Sequence, residues 1–313
     1  MGNMLSRSRS LNLEASQQGV ASWRRRWRMY RDAYLLIAPA WIIFAVFVIV
    51  PIINTIYLSF FKYGLTDPNI QFIGLQNYQQ LLNDPVFWRA LRNNGIILIG
   101  SVVIQVGIGV VLAAVLSRGI RRGRAFFRTV HFAPVVLSSV AVGILWQLIY
   151  DPGVGILNAF LRFLGVRPPV QGWLGDPNLA IFAILGAACW QYTGYVMTIV
   201  LAGMQSVPNE LYEASALDGA NELQNFFYIT LPVSRNVIIA AILVTMIGAV
   251  KVFDVVYVLT RGGPANASQV LGTYIYYNAF TINQAGYASA IAVVLLVIAL
   301  AFGALQLRFT RQV

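Results

Sequence analysis

Six apolar runs, separated by short polar connections, decide what this chain can become. They extend over about Ala33–Phe60, Ile96–Ser117, Thr129–Tyr150, Leu179–Met204, Val237–Thr260 and Gly286–Leu307. Crossing the hydrocarbon of a bilayer takes a helix of about 20 apolar residues. In lipid a backbone must satisfy its own hydrogen bonds, which a helix does. Charged residues make up 11% of the chain and hydrophobic ones 58%, where a soluble domain carries about 25% charge. The expected fold class is therefore all-α integral membrane, with six transmembrane helices.

The net charge of +11 would suit a nucleic-acid partner if the bases shared one face, but they cluster beside the apolar runs. Arg24-Arg25-Arg26, Arg28 and Arg31 precede the first run, and Arg118, Arg121, Arg122, Arg124 and Arg128 separate the second from the third. With the N-terminus in the cytoplasm, 15 Lys and Arg fall inside, 6 outside, and Lys251 within a span. The opposite orientation would violate the positive-inside bias. The expected organisation is a cytoplasmic basic tail over residues 1–32 and a six-span domain over 33–313, with both termini cytoplasmic. Pro39 and Pro51 are expected to bend the first span. The polar stretch ahead of the second span, with Asp84-Pro85-Val86-Phe87-Trp88, is expected to form an interfacial helix on the outer face.

Catalytic and metal chemistry find little support. Cys189 and His131 are the only residues of their kinds, which excludes an internal disulfide and any Cys or His metal cluster. No Gly-x-x-x-x-Gly-Lys-[Ser/Thr] run occurs, so no phosphate-cradling loop is expected. A self-sufficient secondary transporter or channel would call for internal repeats or several intramembrane acids. Asp254 stands alone in that role.

Between the fourth and fifth runs lies a polar stretch over 205–235. Pro208, Glu210 and Glu213 suit a helix start, and Gly219 offers a backbone free to take positive φ where that helix stops. A second short helix, with Phe226, Phe227 and Ile229 on one side, would end near Pro232. A helix–turn–helix elbow with four acids (Glu210, Glu213, Asp218, Glu222) and one base (Arg235) results. On physical grounds alone it is either an amphipathic connector or a docking element. Tyr212-Glu213-Ala214-Ser215-Ala216-Leu217-Asp218-Gly219-Ala220, followed by Phe226, Ile229 and Leu231-Pro232, resembles the "EAA" coupling motif of ABC-importer permeases. The Asp-Gly-Ala form is similar to the maltose-type, carbohydrate branch. Phe72-Ile73-Gly74-Leu75-Gln76-Asn77-Tyr78 with Asp84-Pro85-Val86-Phe87-Trp88 resembles the same sugar permeases.

The resemblance covers about residues 30–310. It implies a permease subunit in the bacterial or archaeal cytoplasmic membrane, working by alternating access with a second permease subunit, two ATPase subunits and an extracytoplasmic solute-binding protein. ATP and Mg would be bound by the partner ATPase, with no cofactor in this chain. The ATPase-coupling residues it implies are Glu213, Ala214, Asp218, Gly219, Ala220, Leu231 and Pro232. The sugar pathway it implies runs past Gln191, Tyr192 and Tyr195 of span four and Thr245, Gly248, Ala249, Val252 and Asp254 of span five.

Lys251 joins Asp254 as a charge inside a span, which is expensive. At i and i+3 of a helix the two would pair; either they only neutralise each other or they touch cargo. Ala249 and Val252 stand where maltose-type permeases carry amides, and Lys251 leaves room for glycerol phosphate or another organophosphate as the alternative cargo. Gln and Tyr within a span also serve as helix–helix contacts.

Overall fold

The computed structural model describes residues 30–31, 34–67, 69–119 and 122–310. Apart from Tyr30 and Arg31, the basic tail over 1–32 lies outside them. The chain divides after Tyr57 into two units. The first holds α1 (Tyr34–Leu58, at the boundary), one helix of 25 residues. Pro39 and Pro51 lie inside it without breaking it. Pro51 has no N–H to offer the carbonyl of Phe47, and Ala45–Ile49 just ahead of it takes π-helical spacing.

The second unit opens with a two-stranded antiparallel hairpin, β1 (Phe61–Lys62) and β2 (Gln71–Phe72), and a short helix α2 (Gln76–Leu82). Next comes α3 (Pro85–Arg118), 34 residues in one helix. The aromatic stretch at Asp84–Trp88 is thus the start of α3, not a separate interfacial helix. Asp84 is its N-cap, accepting from Val86 N at 2.8 Å, with Pro85 preset for the first turn. At about 1.5 Å per residue, α3 extends about 50 Å and outruns the hydrocarbon layer. The second Asp84 oxygen accepts from Tyr274 and Tyr287 at 2.5 and 2.6 Å, tying this end to later helices.

The third apolar run is not one straight span. It forms α4 (Arg124–Val136) and α5 (Ser139–Ile149), bent by 100°. Leu137 is extended, at ψ 143°, and the Ser138 hydroxyl caps α5 by accepting from Ala141 N. Pro134 removes a backbone donor just ahead of the bend. A connection carrying α6 (Ile156–Phe163) leads to α7 (Ala180–Gln205), the most buried of the long helices. Its Val196, Met197, Val200 and Leu201 pack against Val106, Val110 and Ala113 of α3. On another side, Gly194 approaches α4 so closely that a Cβ would stand 1.8 Å from the His131 carbonyl oxygen. Small residues at such contacts are what lets helices in membranes pack.

The elbow follows as α8 (Asn209–Leu217) and α9 (Glu222–Val233). The fifth apolar run also departs from expectation. α10 (Arg235–Val250) has 16 residues and turns 70° from α9. Lys251–Phe253 are non-helical, and α11 (Asp254–Thr260) begins afresh. After the Gly262-Gly263-Pro264 loop come α12 (Leu271–Tyr276) and α13 (Ala285–Thr310). Among the described residues four helices are long and apolar enough to cross a membrane, or six if each bent pair counts as one span.

Candidate functional site

Two places in the second unit gather the residues singled out by sequence. One is a cavity of about 390 Å³ between α3, α5, α7 and the α10–α11 break. Gln191, Tyr192, Tyr195, Thr245, Gly248, Ala249, Lys251, Val252 and Asp254 all line it. Its volume falls within the range of small-molecule sites. α7 presents Gln191 and Tyr195 one turn apart, with Tyr192 beside them. α10 presents Thr245, Gly248 and Ala249 at helical spacing. A Cβ on Gly248 would meet nothing within 4 Å, so that wall is open.

Gln191 is 1% exposed. Its Nε2 donates to the Leu137 carbonyl at the α4–α5 bend, at 3.2 Å, and its Oε1 is buried with no donor. A buried oxygen in that state is costly unless a ligand or water completes it. The Tyr192 hydroxyl lies 3.4 Å from Ser139 Oγ. Thr245 spends its hydroxyl on the Ala241 carbonyl of its own helix, at 2.9 Å. The polar residues along the cavity are thus Gln191, the two tyrosines and the two charges, together with Ser101, Gln105 and Ser139.

Those charges are arranged differently from the expected helical pair. Lys251 is the C-cap of α10 and Asp254 the first residue of α11. The break between them removes the i, i+3 geometry, and they form no ion pair. Each instead sits at the helix end whose partial charge opposes its own, the cation at a C-terminus and the acid at an N-terminus. Both are exposed to the cavity.

Asn94 completes the break, and nothing in the sequence pattern singled it out. From α3 its Nδ2 donates to Val250 O at 3.3 Å, where α10 has run out of helical donors. Its Oδ1 accepts from Leu271 N at 2.8 Å, at the start of α12. The neighbouring Asn93 donates to Ala267 O and Gln269 O at 2.7 and 2.8 Å. The available signal was an Asn pair at the head of an apolar run, where two amides are out of place unless each holds backbone.

The second place is the elbow. α8 stops in a Schellman motif, with Ala220 N bonded to Ser215 O at 2.9 Å and Gly219 N to Ala216 O at 3.2 Å. Gly219 has φ 77°. Asn221 and Gln224 then form a reciprocal capping box that starts α9. The two helices are joined by Tyr212 Oη to Thr230 Oγ1 at 2.9 Å and by Ser215 Oγ donating to Asn225 Oδ1 at 2.7 Å. The elbow therefore has a small polar core of its own. The Arg118 guanidinium at the end of α3 lies 3.3 Å over the Tyr212 ring.

Of the residues expected to couple, Glu213, Ala214, Asp218, Gly219 and Pro232 are exposed. Ala220 is half-buried, and Leu231 packs onto the α3–α7 core. Leu217 is 91% exposed, Tyr228 79% and Leu223 70%. A hollow of about 270 Å³ between the two elbow helices is lined by Ser215, Asp218, Gly219, Gln224 and Tyr228 among others. A polar, capped unit that leaves large apolar side chains uncovered has the makings of an interaction surface.

Residues 105–313 match the family of binding-protein-dependent transport system inner membrane components, and the chain belongs to it. Fold and family together define a membrane permease of the ABC-importer class. It is 43% identical to a probable ABC transporter permease protein, YurN, of Bacillus subtilis (strain 168), over 88% of this chain and 94% of that protein. It is 33% identical to the trehalose/maltose transport system permease protein MalF of Thermococcus litoralis, over 90% and 95%. The fold resembles a chain from a bacterial ABC transporter that imports the acidic polysaccharide alginate, with TM-score 0.79, 24% identity, and 92% and 99% of the two chains covered.

Proposed function

We propose that this chain is a transmembrane subunit through which an ABC importer passes a carbohydrate into the cell. A partner ATPase would drive alternating access through the elbow. The observation that carries the reading is the cavity. Nine residues from α7, α10, the break and the first residue of α11 converge on a cavity of about 390 Å³, and one buried acceptor, Gln191 Oε1, has no donor. Tyrosine rings suit the C–H faces of a sugar, and amide and carboxylate oxygens suit its hydroxyls. The sugar transport named for the Thermococcus relative supports the same class of cargo. Leu217, Leu223 and Tyr228 around the elbow hollow supply an apolar face for the ATPase, with Glu213 and Asp218 to meet cations there. A second permease subunit would close the open side of the cavity, and a solute-binding protein would deliver cargo from outside. Six spans, with α4–α5 as the third and α10–α11 as the fifth, would return both termini to the cytoplasm together with the elbow.

The test is the assembled complex in liposomes with its own binding protein. Stimulated ATP hydrolysis and uptake are measured with a panel of mono- and disaccharides and with glycerol 3-phosphate. A saccharide is expected to stimulate both. Stimulation by glycerol 3-phosphate alone would transfer the assignment to an organophosphate. A permease that fails to retain any ATPase through purification would sink the elbow reading. Cysteines at Leu217 and at Val170, 91% and 101% exposed, are expected to label from the cytoplasmic and outer sides respectively. Labelling of both from one side would overturn the topology.

A further inference from the structure

The connection between α5 and α7 holds a helix that is turned the wrong way for water. At about 100° per residue, Ile156, Phe160 and Phe163 of α6 share one face. They are 69%, 56% and 85% exposed. Asn158, on the opposite face, is completely buried. Its Nδ2 donates to the Asp151 carbonyl at 2.9 Å, and its Oδ1 accepts from Trp173 Nε1 at 2.8 Å. The polar side of α6 is thus fastened to the protein and the apolar side points away from it. Val154, Leu164 and Val166 extend the same uncovered surface. An apolar patch of this kind on a helix of eight residues calls for a partner.

We infer that α6 lies in the bilayer interface and that its partner is the phospholipid surface on the side opposite the elbow. The placement follows from the chain. α6 is held between the end of α5, the second half of a bent pair long and apolar enough to count as one span, and the start of α7, whose other end leads into the elbow. Six residues separate it from α5 and sixteen from α7, and the Asn158 bonds to Asp151 and Trp173 hold both connections against it, which keeps it near the level where α5 ends. Charge agrees with that depth. Arg162 lies on the Asn158 side, its Nη2 donating to the Gly153 carbonyl at 3.4 Å, and Arg167 follows the helix; both are exposed and within reach of lipid phosphates while Phe160 and Phe163 enter the acyl boundary. A helix bound this way would fix the far end of α7, and with it the cavity wall that carries Gln191 and Tyr195. This inference needs only the membrane class and does not rest on the identity of the cargo.

The experiment places a nitroxide on single cysteines at Phe160, Phe163 and, for reference, Asp176. It uses the assembled transporter with Cys189 replaced by Ala, in nanodiscs of phosphatidylethanolamine and phosphatidylglycerol. Collisions with oxygen, which partitions into lipid, are compared with collisions with a water-soluble nickel chelate. The expected result is a several-fold excess of oxygen over nickel contact at 160 and 163, reversed at 176. Nickel contact at 160 and 163 equal to that at 176 would mean that the face is bathed in water. Protection from both reagents would mean that a protein covers it. Either outcome overturns the inference. Leu164→Cys serves as a second reporter should Phe160→Cys lower assembly, since that side chain is 55% exposed.

Discussion

The elbow and the α10–α11 break are both places where a helix stops and another starts, yet they are built on opposite plans. At the elbow every stopping and starting device is local. Gly219 takes the left-handed turn, Ala220 and Gly219 close the Schellman bonds, and Asn221 with Gln224 opens the next helix. At the break no glycine or proline marks the spot. Val250 ends one helix and Asp254 starts the next, and the orphaned carbonyl is met by Asn94, more than 150 residues away in sequence. A locally satisfied interruption is stable wherever it is exposed, as the proposed docking role would require. A remotely satisfied one exists only while its neighbours are in place, which would suit a wall that changes shape in the proposed alternating access.

That contrast makes Asn94 the most damaging single position to lose. Asn94→Leu keeps the approximate volume but leaves Leu271 N–H and the Val250 carbonyl buried without partners. Each costs about 1–3 kcal/mol, so a loss of about 2–6 kcal/mol is expected. The check is the apparent melting temperature of the purified complex, with uptake lost in step. An unchanged melting temperature would mean that water replaces the amide, and that the break is more local than its geometry implies.

Gly219→Val probes the other plan. No atom lies within 4 Å of a Cβ there, so crowding adds nothing, and the penalty is that of a β-branched residue at φ 77°, about 1–2 kcal/mol. Because the device is local, the spans and the cavity should keep their stability while the ATPase dissociates and uptake falls. The readouts are ATPase retained per permease and the melting temperature of the membrane part. Loss of both together would show that the elbow is not an independent unit.

The same contrast explains what was legible in the sequence. The elbow was legible almost to the residue, since Pro208, Gly219 and Pro232 act on their own neighbours. The apolar runs were legible as membrane helices because lipid demands length and hydrophobicity from each separately. The bend at Leu137-Ser138 carries local signals, Pro134 and the capping Ser138, which a reading by hydropathy alone passes over. The break at Lys251–Phe253 carries none, since the Val250 carbonyl is met by Asn94 from another helix, and periodicity within one run holds no trace of such a bond. The start of α3 was misplaced for a related reason. Its aromatics read as interfacial, but they lead straight into the run that follows, with Phe87 buried against later helices. The helix that does carry an uncovered amphipathic face is α6, whose eight residues are too few to stand out in a window meant for spans.

Lys251 and Asp254 offer the finest test of the remote plan. Had α10 continued, their side chains would have met, and removing one would have stranded the other at high cost. With the helix broken between them, each answers to its own helix end, an interaction of about 0.3–1 kcal/mol. Lys251→Met and Asp254→Asn should then each lower stability by no more than that. The double change should lower it by their sum, with coupling within about 0.5 kcal/mol, as for sites that share no contact. Melting of the four proteins in the same nanodisc gives the coupling directly, and a value above about 1 kcal/mol would restore the ion pair. Uptake then separates the remaining roles. A variant that keeps its stability yet loses transport has lost a contact with cargo, whereas one that keeps both shows that the charge serves only the helix end on which it sits.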